Sequence, residues 1–157
     1  MRNHFEETQR FNQWWLWVLL IGISFLPLIG VYKQIVLQQP FGSSPLSNLG
    51  LAIFALVQLG TLLFFRMLRL ETEIDPKTIK IRFWPFSSKV VLWSDIAHAT
   101  VVDYGFVGGW GIRYKTKYGT VYNVRGSMGL AIELKNGTKL CIGTQKPDEM
   151  TKLERIR

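Results

Sequence analysis

The chain has 157 residues, 48% of them hydrophobic, a formal charge of +8 and a single cysteine, Cys141. That length holds one small domain beside any membrane segment, and one cysteine excludes an internal disulfide framework. The charge is uneven: residues 1–65 carry three Lys/Arg against two Asp/Glu, and residues 66–157 carry 16 against nine. A basic half points to a polyanion. Beside a bilayer the nearest is anionic lipid, which attracts each juxtamembrane Lys/Arg by roughly 1 kcal/mol, so nucleic acid is not the expected partner.

In chain order, residues 1–13 read as an amphipathic lead-in with Phe5, Thr8 and Phe11 on one side. Two apolar runs follow, residues 14–31 and 49–68, charged only at Arg66. A helix crosses ~30 Å of hydrocarbon with about 20 apolar residues, so each run is predicted to be a transmembrane helix. Neither shows a polar face at 3.6-residue spacing, which argues against a buried soluble pair. The leader has mixed charge and no small-residue cleavage site follows, which argues against a signal peptide. Arg2 and Arg10 precede the first run, and Arg66, Arg69, Lys77, Lys80 and Arg82 close the second. The connecting loop, residues 32–48, has only Lys33. Positive charge prefers the cytoplasm, so the expectation is a multi-pass inner-membrane protein with both termini cytoplasmic. Trp14, Trp15 and Trp17 suit the inner headgroup level and Tyr32 the outer. Gln58, a mid-membrane amide, and Gly60 are the candidates for helix–helix contact, within the chain or in a homo-oligomer.

From Leu70 the period changes to that of strands, near residues 79–83, 90–93, 97–103, 112–118, 120–125, 130–134 and 138–144. Asp75-Pro76 marks a turn. Asn136-Gly137 predicts a tight type I′ hairpin, with φ > 0 at both residues. Gly105, Gly108, Gly109 and Gly111 fit a hairpin connection or bulge; they match neither phosphate-loop pattern and precede a strand. Pro147 opens a helix, Asp148 and Glu149 suit its dipole, and Met150, Leu153 and Ile156 form its apolar side. The class is therefore α+β: a two-helix transmembrane hairpin, then a cytoplasmic all-β domain over residues 70–157 with a C-terminal helix.

This order of elements, with Val91-Leu92-Trp93-Ser94-Asp95-Ile96, Gly109-Trp110-Gly111-Ile112-Arg113 and Ile142-Gly143-Thr144-Gln145-Lys146-Pro147, resembles bacterial membrane proteins with a pleckstrin-homology-like (PH-like) domain. Small members of that group place two helices before one such domain. The resemblance implies a PH-like barrel capped by the terminal helix, and a non-enzymatic module. Unlike eukaryotic PH domains, this chain has no Trp in that helix.

Lys80 and Arg82 share one strand face and Arg113, Lys115 and Lys117 another. Pointing outward on one side, the five would form a patch for phosphate or lipid headgroups. The alternative is solvated strand faces that keep an edge soluble. Ser94, Asp95 and His98 have the composition of a triad, but near neighbours on a turn seldom give its geometry, so Asp95 is expected to cap the turn. Two distant histidines and one cysteine make no metal cluster, and no cofactor is expected. Without paired carboxylates or an activated nucleophile, an enzyme is not expected either. The expected function is a membrane-anchored binding or scaffolding module with a membrane or peripheral protein partner. Anionic-lipid recognition and a structural role in an oligomeric membrane complex are the alternatives.

Overall fold

The structure, a computed structural model, describes residues 4–154. It divides into two units: residues 12–67, and a second unit built from the segments on either side of them.

The first unit is a helix pair, α1 (Trp14–Val31) and α2 (Asn48–Met67). The predicted spans agree with these helices to within one residue at each end. α1 buries a stripe at three- and four-residue spacing, Leu20, Ser24, Pro27 and Gly30. Ser24 satisfies its hydroxyl within the helix, donating to the Leu20 carbonyl at 2.7 Å. Tyr32–Val36, expected as loop, continues α1 as a π-helical turn. Gln34 Nε2 then donates to Leu46 O at 2.6 Å and Asn48 Oδ1 at 2.8 Å, closing the loop onto the start of α2. Large side chains such as Val18, Leu19, Phe25, Leu56, Val57 and Leu63 stay exposed. Both helices are long and apolar enough to cross a membrane.

The second unit holds two sheets. The first sheet runs β1 (Phe5–Arg10), β2 (Arg69–Ile74), β3 (Thr78–Trp84) and β4 (Ser87–Leu92), each antiparallel to the next. β1 corrects the expected lead-in. Its period is two, with Phe5, Glu7 and Gln9 buried and Glu6, Thr8 and Arg10 exposed, so Thr8 opposes Phe5. The alternation escaped the sequence because two of the three inward residues are polar. The module is thus not residues 70–157 alone: it takes its first strand from before the hairpin.

The second sheet holds β5 (Ile96–Asp103), β6 (Gly111–Thr116), β7 (Gly119–Asn123), β8 (Met128–Leu134) and β9 (Lys139–Gly143). Their order is β5-β8-β9-β7-β6, with β7 and β9 parallel. The α+β class holds, but the expected barrel does not: the strands form two separate sheets and do not close. The break falls after β4, where Trp93–Asp95 makes a 3-10 turn. Trp93 ties that turn to the β2–β3 loop, its indole N–H donating to Asp75 O at 2.9 Å and its backbone N–H to Lys77 O at 3.1 Å. β5 then leaves to pair with β8. Since β5 and β6 occupy opposite edges, the glycine-rich segment 104–110 is a crossover rather than a hairpin connection.

β9 lies in the middle, and Leu140, Cys141, Ile142 and Gly143 are all buried, as in a strand covered on both faces. On one face Tyr104 and Val107, from the crossover, pack with Val102, Val121, Ala131 and Cys141. Gly129 and Gly143 pair across β8–β9 beneath the Tyr104 ring. A Cβ at Gly129 would lie 3.0 Å from that ring, and one at Gly143 3.0 Å from its hydroxyl.

The Asn136-Gly137 hairpin forms where expected with a different turn. Leu134 N donates to Thr138 O at 2.8 Å across a three-residue loop, and only Gly137 has positive φ, 81°. That is a three-residue hairpin with glycine in the left-handed position. The Asn136 side chain accepts from Thr138 N at 3.0 Å. α3 (Pro147–Glu154) begins at its proline, buries Met150, and packs mainly on β5 with smaller contacts to β1 and β8. Ile156, expected on its apolar side, lies outside the described residues.

The two ends of this unit are clamped together. The buried Glu7 carboxylate accepts from Thr144 Oγ1 at 2.6 Å and Gln145 N at 2.8 Å. Gln9 Nε2 donates to Gly143 O at 2.6 Å.

Candidate functional site

The five predicted cations fall on two different sheets. Lys80 and Arg82 lie on the first sheet; Arg113, Lys115 and Lys117 lie at one edge of the second. On the first sheet each cation faces a carboxylate in register, Lys80 opposite Glu73 and Arg82 opposite Glu71. Lys80 Nζ is 3.0 Å from Glu73 Oε1 and 3.4 Å from Asp75 Oδ2, and Arg82 Nη1 is 3.4 Å from Glu71 Oε2. Hydrogen bonding to Glu73 raises the Lys80 pKa. The 2.7 Å hydrogen bond from His4, then that from Lys80, lower the Asp75 pKa. This face is a charge ladder over a shallow depression of about 250 Å³, with cations already matched. Atoms of His4, Glu73 and Asp75 come within 4.8 Å of one another, around the Lys80 ammonium rather than a vacancy for a metal ion.

At the second sheet, Arg113 is a tie within the fold: its Nη2 donates to Trp110 O at 3.0 Å, against Gly109. Lys115 has φ 59°, where the β6–β7 register shifts between Arg113 and Thr116. That bulge breaks the alternation expected along residues 112–118, and Tyr114 is exposed. Lys117 sits in the turn, its Nζ 4.8 Å from the Tyr118 ring centroid.

Gln58 is half-buried, and Gly60 is exposed with open space where a Cβ would stand. The close approach between the helices is at Gly30, where a Cβ would meet Leu51 at 3.0 Å and Phe41 at 2.9 Å. The legible signal was Ser24, Pro27 and Gly30, small residues at helical spacing. Ser94 donates its hydroxyl to the adjacent Asp95 at 3.1 Å, while His98 aligns across the sheet with Glu133.

A second depression, of about 240 Å³, lies on the second sheet. The row His98, Glu133 and Lys139 crosses β5, β8 and β9, and Thr100 stands opposite Ala131 one step along. Val102 and Ala131 supply apolar surface, and Lys117 and Tyr118 approach from the β6–β7 turn. The crossover covers one end of this sheet face with Tyr104 and Val107; the depression is the other end. Glu133 and Lys139 pair at 3.5 Å. Lys117 was singled out in the sequence; His98 and Lys139 could not be placed beside it, because the parallel β7–β9 pairing carries no local signature. Burial pushes the Cys141 thiol up to about 12, as for an inert packed thiol, and raises the Tyr104 phenol.

No known protein family matches the chain, and no curated protein matches it. The fold itself defines the class: an α+β chain in which a two-sheet polar unit is split by an apolar helix pair.

Proposed function

We propose that the chain is a membrane-anchored, non-enzymatic binding module of the plasma membrane, with α1 and α2 crossing as a hairpin. One observation carries the reading: the hairpin interrupts the polar unit between two adjacent strands. Arg10 and Arg69 are register partners, and the whole apolar segment lies between them in the chain. Paired strands occupy one side of any bilayer the hairpin crosses, so both flanks of the hairpin share a side. The excess of Lys/Arg on those flanks over the lone Lys33 of the loop favours the cytoplasm. The exposed apolar flanks of both helices favour lipid over a soluble core as their surroundings. Two sheets with a terminal helix remain compatible with a PH-like module, whose partner on this reading is a membrane or peripheral protein.

Cysteine labelling tests the anchor and its orientation. Cys141 is buried and stays silent. Ser43→Cys, in the exposed loop, should react with an impermeant maleimide on intact cells; Ser88→Cys, exposed on β4, should react only after permeabilisation. The opposite pattern overturns the orientation, and a chain that leaves the membrane fraction in alkaline buffer overturns the anchor.

A further inference from the structure

We infer that the depression on the second sheet binds a phosphate group carried on a small apolar body. The inference stands on the depression alone and survives a failure of the membrane reading.

Charge is the first argument. From Tyr104 to Ile132 the chain has no Asp or Glu and four cations, Arg113, Lys115, Lys117 and Arg125. The one carboxylate lining the depression, Glu133, is engaged by Lys139 at 3.5 Å with both side chains near half exposure, a pair that solvent weakens. Lys117 joins no ion pair among the described residues; its ammonium rests on the Tyr118 ring, a contact an incoming anion can share. The first sheet offers the contrast in number: Lys80 there faces two carboxylates, Glu73 and Asp75, whereas the depression sets one carboxylate against two lysines.

Donor chemistry is the second. Lys117, Lys139, His98, Thr100 and Tyr118 are brought to one rim from two strands, β5 and β9, and the β6–β7 turn. All present N–H or O–H groups, and the cations among them are lysines. An ammonium binds a phosphate oxygen as a point charge, and two of them match the double charge of a phosphomonoester better than the single charge of a carboxylate. The third is the floor. Val102 and Ala131 give the phosphate's carrier an apolar surface, which a site for free inorganic phosphate does not need. A phospholipid headgroup with its glycerol, or a soluble phosphomonoester, has this chemistry.

The full chain in neutral detergent is titrated with dihexanoyl phosphatidic acid and, separately, glycerol phosphate, following the probes by ³¹P NMR. Saturable binding of at least one probe is expected, with Lys117→Gln and Lys139→Gln each weakening it about tenfold, the loss of one charge-assisted hydrogen bond. Lys80→Gln should leave it unchanged. Binding of the lipid alone identifies a headgroup; binding of both shows that a soluble phosphate suffices. No saturation with either probe, or affinity indifferent to both lysine variants, overturns the inference. Since the wild-type titration decides by itself, a variant that misfolds does not protect it.

Discussion

Single residues decide whether the polar unit closes. Glu7 is the most consequential, because two donors 137 and 138 residues away in sequence depend on its carboxylate. Glu7→Ala leaves the Thr144 hydroxyl and the Gln145 N–H without that acceptor, at a cost of about 1–3 kcal/mol for the buried hydroxyl and less for the part-buried N–H. Denaturant unfolding should show a loss of that order, with Glu7→Gln milder because an acceptor oxygen remains; an unchanged midpoint in Glu7→Ala refutes the clamp. Two glycines at positive φ should behave differently. Gly137→Ala, with open space around it, should cost about 1–2 kcal/mol of left-handed strain. Gly119→Ala adds a collision with the Lys139 carbonyl and should cost clearly more; equal losses would show that β7 and β9 are not so close. Cys141 sets a pH limit. Its thiol ionises near 9 when exposed and near 12 in the fold. Its contribution to stability is therefore complete below about 9 and is lost as pH rises toward 12. Thermal melts from pH 8 to 11 should show that decline, and Cys141→Ala should make it shallower, the raised Tyr104 phenol keeping its share.

At the level of elements, β1 and the helix pair are separable by design of the chain. Arg10 and Arg69 pair directly, so Phe11 and Leu68 are where a hairpin turn would begin and end. Replacing residues 12–67 by a two-residue Asn-Gly turn should yield a water-soluble protein with the same strands, because that turn matches strand twist. Circular dichroism and size exclusion check this; an insoluble or unfolded product sinks the two-unit description. Removing β1 from that soluble version should unfold it, since the first sheet then loses an edge and the clamp to Thr144. Most elements were legible: both helices, the strands from residue 79 onward and α3 announce themselves by period, glycine and proline. β1 was not, because Glu7 and Gln9 face inward and mimic a polar tail. The candidate site was legible only at Lys117. His98 reaches the site through a pairing with Glu133, 35 residues away, and Lys117 is brought beside Lys139 by the parallel β7–β9 pairing, which has no local signature.

For the molecule as a whole, adjacency of β1 and β2 converts a local pairing into a rule of sidedness. Alkaline extraction near pH 11 should loosen the polar unit, by the Cys141 argument, while the chain stays with the membrane. A pellet that empties at that pH would mean that the helices do not span. Composition and periodicity by themselves determined that there are two apolar helices, that a basic β-rich unit follows, and where most strands begin, because those features depend on neighbours a few residues apart. Only the tertiary structure decided that the strands form two sheets without a barrel, that the first strand comes from before the hairpin, and which lysines keep their charge unmatched. Those outcomes rest on contacts between residues far apart in sequence, where register and burial, rather than local pattern, select the partner.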